Sequence, residues 1–395
     1  MVFALAPGCG RIGYGAASGD GVSVGIDATP LDGLPSGWTS STPTRVSATG
    51  GAGASPAIVP VGLAFTLVYV QRRGGSVHVF ASFLAEAGEK LDPDAQVTVD
   101  GSGCAAPSVA QNGSGYVVAW RDARNPSFDL YAVSLDASGG RTGADVQLSS
   151  AATDAQAPRL VVAGSTSLVA YQEESMNETG VVYRAFQPTG PSGVIVSLSP
   201  ITSTASGPAA AFDGQGFGFA WADDRSGSGD QVFYVRGDGN GVTTGAIPLT
   251  AAPASTKALA MVWAGDRYAV AYGNGADGLH LSTFDATATA VADDPILPAA
   301  AGARLDAASL AWTGASYGLA WVDYRDGGGD VYFGAFDVGG ALIGEPLQVA
   351  TSPDTSSVEP ALAWNGHAFG LAWHQTPTTT SAPEEGIYFV SLTPP

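Results

Sequence analysis

The feature that most constrains the fold of this chain is an internal repeat of about 50 residues, which is present seven times. In each copy an apolar segment ends on an aromatic residue, and these residues follow one another at intervals of 49 to 52 positions. A glycine lies seven residues before every one of them. Chance does not produce such a register, so the chain contains seven copies of one structural unit. The aromatic residues are Tyr69, Trp120, Tyr171, Trp221, Tyr272, Trp321 and Trp373.

Each copy contains four segments with the character of β-strands. In the sixth copy, residues 308–312 and 317–321 are apolar, and Thr313-Gly314 between them is a hairpin signal. Residues 330–336 and 345–350 follow after Gly-rich connections. A repeated four-stranded unit of this length is typical of a β-propeller blade. We therefore predict an all-β, seven-bladed β-propeller with four antiparallel strands per blade. A string of separate small sandwiches is the rival fold, but each would bury too little surface alone.

The seventh copy ends after its third strand, and the missing strand is found at the other end of the chain. Residues 43–48 precede the first copy in the same way that residues 346–351 precede the seventh. We expect this N-terminal strand to complete blade seven, because closure of the ring removes exposed sheet edges. The domain prediction is a propeller over residues 41–395, preceded by a flexible leader over residues 1–40 that is rich in Gly, Ala and Asp.

The start of the leader resembles a bacterial lipobox. Leu5-Ala-Pro-Gly-Cys9 has a cysteine where signal peptidase would cleave and a lipid would be attached, although Ala6 replaces the preferred Leu. Residues 1–7 are too short for the hydrophobic part of a signal, so the match is the end of a longer signal or an accident. The resemblance implies lipidation at Cys9 and an extracytoplasmic protein, secreted or anchored at the bacterial surface or periplasm. The alternative is a plain glycine-rich leader.

Charge and composition exclude several partners. The formal net charge of −20 repels nucleic acid and anionic membranes. Two cysteines cannot form a disulfide framework or a four-cysteine zinc site. No run of eighteen apolar residues is present, so a lipid anchor would be the one membrane attachment. We expect a monomer that binds a carbohydrate or a protein and needs no cofactor.

The strongest candidate site is a Trp-x-Asp-x-Arg motif at the end of the second strand. It is intact in the even copies, and the odd copies depart from it. Loops after the second strands share one face around the channel, where propeller ligands usually bind. The competing interpretation is structural, because such an aspartate can accept loop N–H groups and pair with the arginine. The motif residues are Asp122 and Arg124, Asp223 and Arg225, and Asp323 and Arg325.

The corresponding loops of the odd copies hold a second group of candidates. Divergence from the repeat could have produced a ligand site there, and the candidates are Arg72, Arg73, Glu173, Glu174 and His374. Two other histidines, His78 and His280, fall in the third-strand position that holds Tyr131 and Tyr332, so we expect them to be packed side chains.

Calcium is a further hypothesis for these loops. Asp323, Asp326 and Asp330 supply oxygens in a Gly-rich loop, and hard cations prefer oxygen ligands. Arg325 lies among them and opposes cation binding. We therefore predict no metal centre and keep calcium as the alternative.

The Ala-Trp-x-Asp-x-Arg blades resemble a group of bacterial secreted propellers that includes the BNR-like and sialidase-like types. The resemblance covers repeats two, four and six. It implies the propeller fold and, as one alternative, a sialidase-like glycoside hydrolase. The Arg-Ile-Pro and Ser-x-Asp-x-Gly-x-Thr-Trp motifs of that group are absent from this sequence. We therefore expect a non-catalytic binding protein with its ligand on the loop face, and a structural cell-surface protein is the other alternative.

Overall fold

The chain forms strands and turns, and the part described contains no helix. The computed structural model describes residue 31 and residues 34–395, except for 100–102, 151–152, 176–177, 201–203, 226, 228, 251–255, 275–277, 290, 299–304, 326–327, 351–354 and 380–384. Within that part no helical segment could cross a bilayer. Seven separate antiparallel sheets account for the strands, as the seven repeats predict.

The strands follow the chain in seven groups after two short N-terminal strands. The N-terminal strands are β1 (Thr39–Ser40) and β2 (Thr44–Arg45). Blade one contains β3 (Gly53–Val61), β4 (Ala64–Arg73), β5 (Ser76–Leu84) and β6 (Ala95–Gln96). Blade two contains β7 (Ala105–Asn112), β8 (Gly115–Asp122), β9 (Asp129–Leu135) and β10 (Val146–Gln147). Blade three contains β11 (Asp154–Ala163), β12 (Thr166–Ser175), β13 (Glu178–Gln187), β14 (Gly190–Pro191) and β15 (Val196–Ser197).

The remaining four blades repeat this order. Blade four contains β16 (Ala205–Phe212), β17 (Phe217–Asp223), β18 (Gln231–Gly237) and β19 (Ile247–Pro248). Blade five contains β20 (Thr256–Trp263), β21 (Tyr268–Asn274), β22 (Gly278–Phe284) and β23 (Val291–Pro298). Blade six contains β24 (Leu305–Trp312), β25 (Tyr317–Asp323), β26 (Asp330–Phe336) and β27 (Leu342–Gln348). Blade seven contains β28 (Thr355–Trp364), β29 (Phe369–Pro377) and β30 (Gly386–Thr393).

The first strand of every blade lies at the centre of the ring. Each first strand contacts the first strands of both neighbouring blades, and the series closes from β28 back to β3. These strands enclose the central channel. Seven apolar clusters fill the ring, one between each pair of neighbouring blades. Both faces of each second strand are therefore buried, which explains why the second strands are apolar along most of their length.

The N-terminal segment closes the ring, as predicted. β2 pairs with β30, with Thr44 opposite Phe389 and Arg45 opposite Tyr388. Beyond β2, the Val46 N–H donates to the carbonyl of Ile387, and the Ser47 hydroxyl accepts the Ile387 N–H. Blade one makes the same two bonds with its own fourth-strand residues, Val97 and Thr98, to Val79. Residues 44–47 are thus the fourth strand of blade seven.

The packed part of the chain begins earlier than the predicted boundary at residue 41. Trp38 lies between Phe333 of blade six and Phe369 of blade seven, with ring centroids 5.7 and 6.2 Å away. Leu34 packs on the same apolar cluster, and β1 pairs with the end of β30. These contacts place residues 34–40 against blades six and seven. Residues 1–30, with the lipobox-like segment and Cys9, lie outside the described residues.

Candidate functional site

The motif aspartates lie at the end of the second strands and are buried. We call this side of the ring the loop face, and it is marked by the second-strand ends Arg73, Asp122, Ser175, Asp223, Asn274, Asp323 and Pro377. The Asp122 side chain accepts the Trp120 indole N–H at 3.0 Å, the Arg124 backbone N–H at 2.9 Å and the Arg124 guanidinium at 2.6 Å. Burial alone would raise the pKa of Asp122, but the bonds from Arg124 and Trp120 hold it below its usual range.

The other two intact motifs repeat this arrangement. Asp223 accepts the Trp221 indole N–H at 3.1 Å and the Arg225 backbone N–H at 2.8 Å, and it pairs with the Arg225 guanidinium. Asp323 accepts the Arg325 backbone N–H at 2.9 Å and pairs with the Arg325 guanidinium. These are the contacts that the structural interpretation of the motif requires. Ligand contact by the same six residues stays a prediction.

The arginines of the motif also stack on aromatic rings of the third strand. The guanidinium carbon of Arg124 lies 3.9 Å from the centre of the Tyr131 ring, and that of Arg225 lies 3.9 Å from the Phe233 ring. Arg325 is more distant, at 5.7 Å from Tyr332. Stacking and ion pairing together fix each guanidinium over its own blade.

Blade one carries a variant of the same arrangement. Arg73 stacks on Phe80 at 3.8 Å and pairs with Asp94 at 2.6 Å, while its Nε donates to Gln71. Arg72 donates to the carbonyl of Gly75. These two candidates therefore contact their own blade.

The candidates in blade three differ in exposure. Glu173 is partly buried, and the Tyr171 hydroxyl lies 3.3 Å from its carboxylate. Burial raises the pKa of Glu173. Glu174 is exposed and accepts a bond from the Gln156 amide. Glu173 and Glu174 therefore differ in their exposure to solvent and in their hydrogen-bond partners.

The calcium hypothesis rests on residues that are only partly described. The Asp323 carboxylate is engaged by Arg325, and Asp326 lies outside the described residues. Across the part of the chain that the structure describes, no three His, Cys, Asp or Glu side chains are grouped as metal ligands would be.

Strand pairing confirms one histidine position and corrects another. His280 lies opposite Tyr272, just as Tyr332 lies opposite Trp321, so it occupies the predicted aromatic position. His78 instead lies opposite Gln71. That is the position of Asp129, which lies opposite Asp122, so the prediction for His78 was wrong by two residues. In blade one the aromatic position opposite Tyr69 is held by Phe80.

A β-bulge near the loop face interrupts the first strand of every blade. The residue after the bulge is small in six blades and is an arginine in blade three. The seven residues are Ala57, Ser108, Arg159, Ala209, Ala260, Ser309 and Ala361. The first bulge residue is small in six blades and is a glutamate in blade seven. These seven are Ser55, Ala106, Ala157, Gly207, Ala258, Ala307 and Glu359.

Arg159 is the first of these two exceptions. Its side chain is exposed, yet the surrounding protein desolvates it enough to lower its pKa. Exposure combined with desolvation is expected for a side chain that extends into the channel. Within the described part of the chain, its one side-chain hydrogen bond goes to the carbonyl of Pro158, at 3.1 Å.

Glu359, the second exception, belongs to a charged cluster with His374 and Glu385. The His374 Nδ1 lies 3.5 Å from the Glu359 carboxylate, and its Nε2 lies 3.1 Å from that of Glu385. Burial by itself would lower the pKa of His374, but the two carboxylates raise it to about 9. Burial would likewise raise the pKa of Glu359, but His374 and the Ser55 N–H hold it below its usual range. The imidazolium therefore carries a charge at neutral pH.

We call Arg159, Glu359, His374 and Glu385 the channel-mouth residues. His374 was a candidate from the sequence, and the other three were missed. The signal that could have found Arg159 and Glu359 was present in the repeat, because each replaces a small residue at a position shared by all blades. Glu385 precedes the third strand and offers no such comparison.

Known structures share the fold at low identity. No family model matches the chain. No curated protein matches it either. A puromycin hydrolase variant complexed with PGG has a TM-score of 0.53 and 16% identity over 84% of this chain. The chain spans about half the length of that protein, 53%.

Two other similar structures are matched over nearly their whole length. An oligogalacturonate lyase from Vibrio parahaemolyticus has a TM-score of 0.55 and 10% identity, and the match covers 92% of this chain and 98% of that one. The subtype N10 neuraminidase-like protein of A/little yellow-shouldered bat/Guatemala has a TM-score of 0.51 and 6% identity, with 91% and 98% covered. At these identities the likeness concerns the fold alone. In this chain the fold is a seven-bladed β-propeller.

Proposed function

We propose that this propeller is a non-catalytic binding protein whose carbohydrate or protein ligand lies at the loop-face mouth of the central channel. Arg159 contacts an anionic group of that ligand. The observation that carries the proposal is the replacement of a small residue by Arg159 in one blade of seven, at the wall of the channel. An arginine at this position is not needed for the fold, since six blades form without it, whereas a ligand site would need such a residue.

The surroundings of Arg159 favour an anionic ligand group. The chain has 36 acidic and 16 basic side chains, and most described arginines contact a carboxylate, a carbonyl or a ring of their own or a neighbouring blade. A cation desolvated by protein is costly unless an anion or several acceptors balance it. A carboxylate would accept two parallel N–H bonds from the guanidinium, a stronger contact than the Pro158 carbonyl provides.

The Glu359–His374–Glu385 cluster of blade seven would supply the remaining polar contacts. The Glu359 side chain is 46% exposed although it is paired, so one carboxylate faces solvent as well as His374. Hydroxyl or amide N–H groups of a ligand could donate to it. Arg159 together with the solvent-facing carboxylate of Glu359 favours a ligand that carries an acid group and several neutral polar groups.

Binding of an acidic glycan array by the full chain tests the proposal. Probes include oligogalacturonates and sialosides, chosen because two structural neighbours are named for such chemistry. We expect Arg159→Ala to weaken binding at least tenfold and Arg159→Lys to weaken it less, since lysine keeps the charge but loses the forked geometry. Arg267→Ala is the matched control, because Arg267 is exposed and pairs with neighbouring Asp266.

Two outcomes would overturn this proposal. Binding that is equal in wild type and Arg159→Ala would remove Arg159 from the site. Hydrolysis of fluorogenic sialosides or other glycosides by the wild type would favour the sialidase-like alternative over a non-catalytic protein. The channel-mouth acid and base groups would then be the first candidates for catalysis.

We also propose that the protein is exported and lipid-anchored through Cys9. The support is the lipobox-like Leu5-Ala-Pro-Gly-Cys9 segment. In a bacterial host, wild type is expected in the membrane fraction with the mass of an attached lipid, and Cys9→Ala in the soluble fraction without it. Equal distribution and unmodified mass for both would leave a plain leader.

A further inference from the structure

A cleft of about 370 Å³ lies between blades three and four on the face opposite the loop face. Its walls come from the hairpins that join first and second strands and from the turn after the third strand of blade four. Thr166 and Ser192 line it from blade three, and Phe212, Gln215 and Asn240 line it from blade four. The cleft is therefore far from the channel mouth, at the other end of the second strands.

The turn after the third strand of blade four, which lines this cleft, is one residue shorter than those of blades two and six. In blade two the turn is closed by a bond from the Asp136 N–H to the carbonyl of Gly140, four residues later. Blade six closes its turn in the same way, from Asp337 to Ala341. In blade four the bond runs from Asp238 to Gly241, only three residues later.

In blades two and six the longer turns pack against the preceding blade, whereas the shorter turn of blade four leaves more space. Gly139 of blade two packs so closely on blade one that an added Cβ would lie 2.8 Å from the Phe83 ring. Gly340 of blade six packs on Ile296 of blade five, at 3.1 Å by the same measure. At Gly239 of blade four the nearest atom, in Thr166, would be 3.9 Å away. The seam between blades three and four is therefore less filled than the seams on which the longer turns of blades two and six pack.

The lining has one aromatic wall and a neutral polar rim. Phe212 is partly exposed and packs at an angle on Phe217, with centroids 5.2 Å apart. The amides of Gln215 and Asn240 are exposed at the rim and can both donate and accept hydrogen bonds. Asp238 is the one charged residue in the lining, and its Oδ1 accepts the N–H groups of Asn240 and Gly241.

We propose that this cleft is a second binding site, specific for a neutral sugar ring. An apolar ring face would lie against Phe212 while equatorial hydroxyls bond to Gln215, Asn240 and Asp238. The volume is near the lower end of the range for small-ligand sites, which suits about one or two rings. An anionic sugar is disfavoured, because no described lining residue is basic and Asp238 would repel it.

Titration of the full chain with neutral methyl glycosides tests this inference. The probes are the methyl glycosides of glucose, galactose, mannose and N-acetylglucosamine. Their binding is measured by calorimetry and by amide NMR of the cleft residues. We expect at least one probe to shift the amide signals of Gly216, Gly239 and Asn240. Gly239→Leu should abolish that binding by filling the cleft, and Gln215→Ala should weaken it severalfold.

The controls separate this site from the channel mouth. Gly245→Leu adds the same side chain at an exposed glycine that does not line the cleft, and it should bind like wild type. Arg159→Ala should also leave neutral-sugar binding unchanged. Absence of binding for every probe, or binding that survives Gly239→Leu, overturns the inference. Capture of acidic glycans that is lost in Arg159→Ala and kept in Gly239→Leu would support the channel-mouth proposal independently of the cleft.

Discussion

Even and odd blades solve the same structural problem with different chemistry. In blades two, four and six, the residue two positions after the strand-two tryptophan is an aspartate with an arginine two residues later. In the odd blades that position holds Gln71, Glu173, Asn274 and Gln375. The position is therefore polar in all seven blades, and it is an aspartate in the even blades alone.

The difference teaches that the repeat preserves a hydrogen-bond acceptor rather than an ion pair. Gln375 accepts the Trp373 indole N–H, at 3.4 Å, as Asp122 accepts that of Trp120. A buried carboxylate is costly without a cation, so each even blade needs its arginine. An amide is neutral and needs none. Gln71 likewise needs no cationic partner. Its buried amide donates to the carbonyl of Ala48, and Arg73 pairs with Asp94.

The largest expected effect comes from removing the acceptor of an even blade. Asp223→Ala leaves the Trp221 indole N–H and the Arg225 guanidinium without their buried partner. We expect unfolding free energy to fall by about 4 kcal/mol. Gln375→Ala in blade seven removes a neutral acceptor, and we expect a loss of about 1 kcal/mol. Urea unfolding followed by tryptophan fluorescence measures both, and equal losses would contradict the distinction drawn between charged and neutral blades.

The second effect concerns the charge that blade seven carries elsewhere. The folded pKa of His374, about 9, lies above its ordinary value of 6.5, so the cluster stabilises the fold when the imidazole is protonated. Its contribution is complete below pH 6.5 and is lost as pH rises through about 9. Allowing for the partial exposure of Glu359 and Glu385, we expect about 2 kcal/mol.

His374→Gln should remove that pH dependence. Unfolding free energy measured from pH 6 to 10 should fall for wild type and stay flatter for the variant. His367→Gln is the matched control, because the His367 pair with Glu86 is exposed and contributes little. A slope shared by wild type and His374→Gln would mean that the cluster does not stabilise the folded ring.

The features that could be predicted from the sequence are mainly those that recur in all seven repeats. Strand order, hairpin positions and ring closure depend on local patterns, and residues 43–48 could be matched to residues 346–351 by their proline and valine alone. Trp38 was missed because its burial depends on Phe333 and Phe369, which are distant in the chain and follow no local period.

The channel-mouth residues were partly missed for a related reason. Aromatic residues and glycines define the repeat in the sequence, and the bulge positions of Arg159 and Glu359 lie outside that pattern. The surroundings of His374 could not be read either, because its partners lie on β28 and on the residue before β30. Arg159 and Glu359 become visible as exceptions in the sequence once the bulge positions of the seven blades are compared.

Glu173 is the one carboxylate at the acceptor position without an arginine two residues later, where Ser175 stands instead. Burial raises its pKa, so the folded state favours the protonated acid. Stability from this group is therefore greatest at low pH and is lost as pH rises through the folded pKa.

Glu173→Gln would supply the neutral amide that blades one and seven already use. We expect it to raise unfolding free energy at pH 7 by about 1 kcal/mol, with little change at pH 4. Asp223→Asn is the matched variant in an even blade, and it should destabilise because its arginine loses a charged partner. If Glu173→Gln destabilises at pH 7 as well, the carboxylate at that position has a cationic partner or a role that the neutral blades lack.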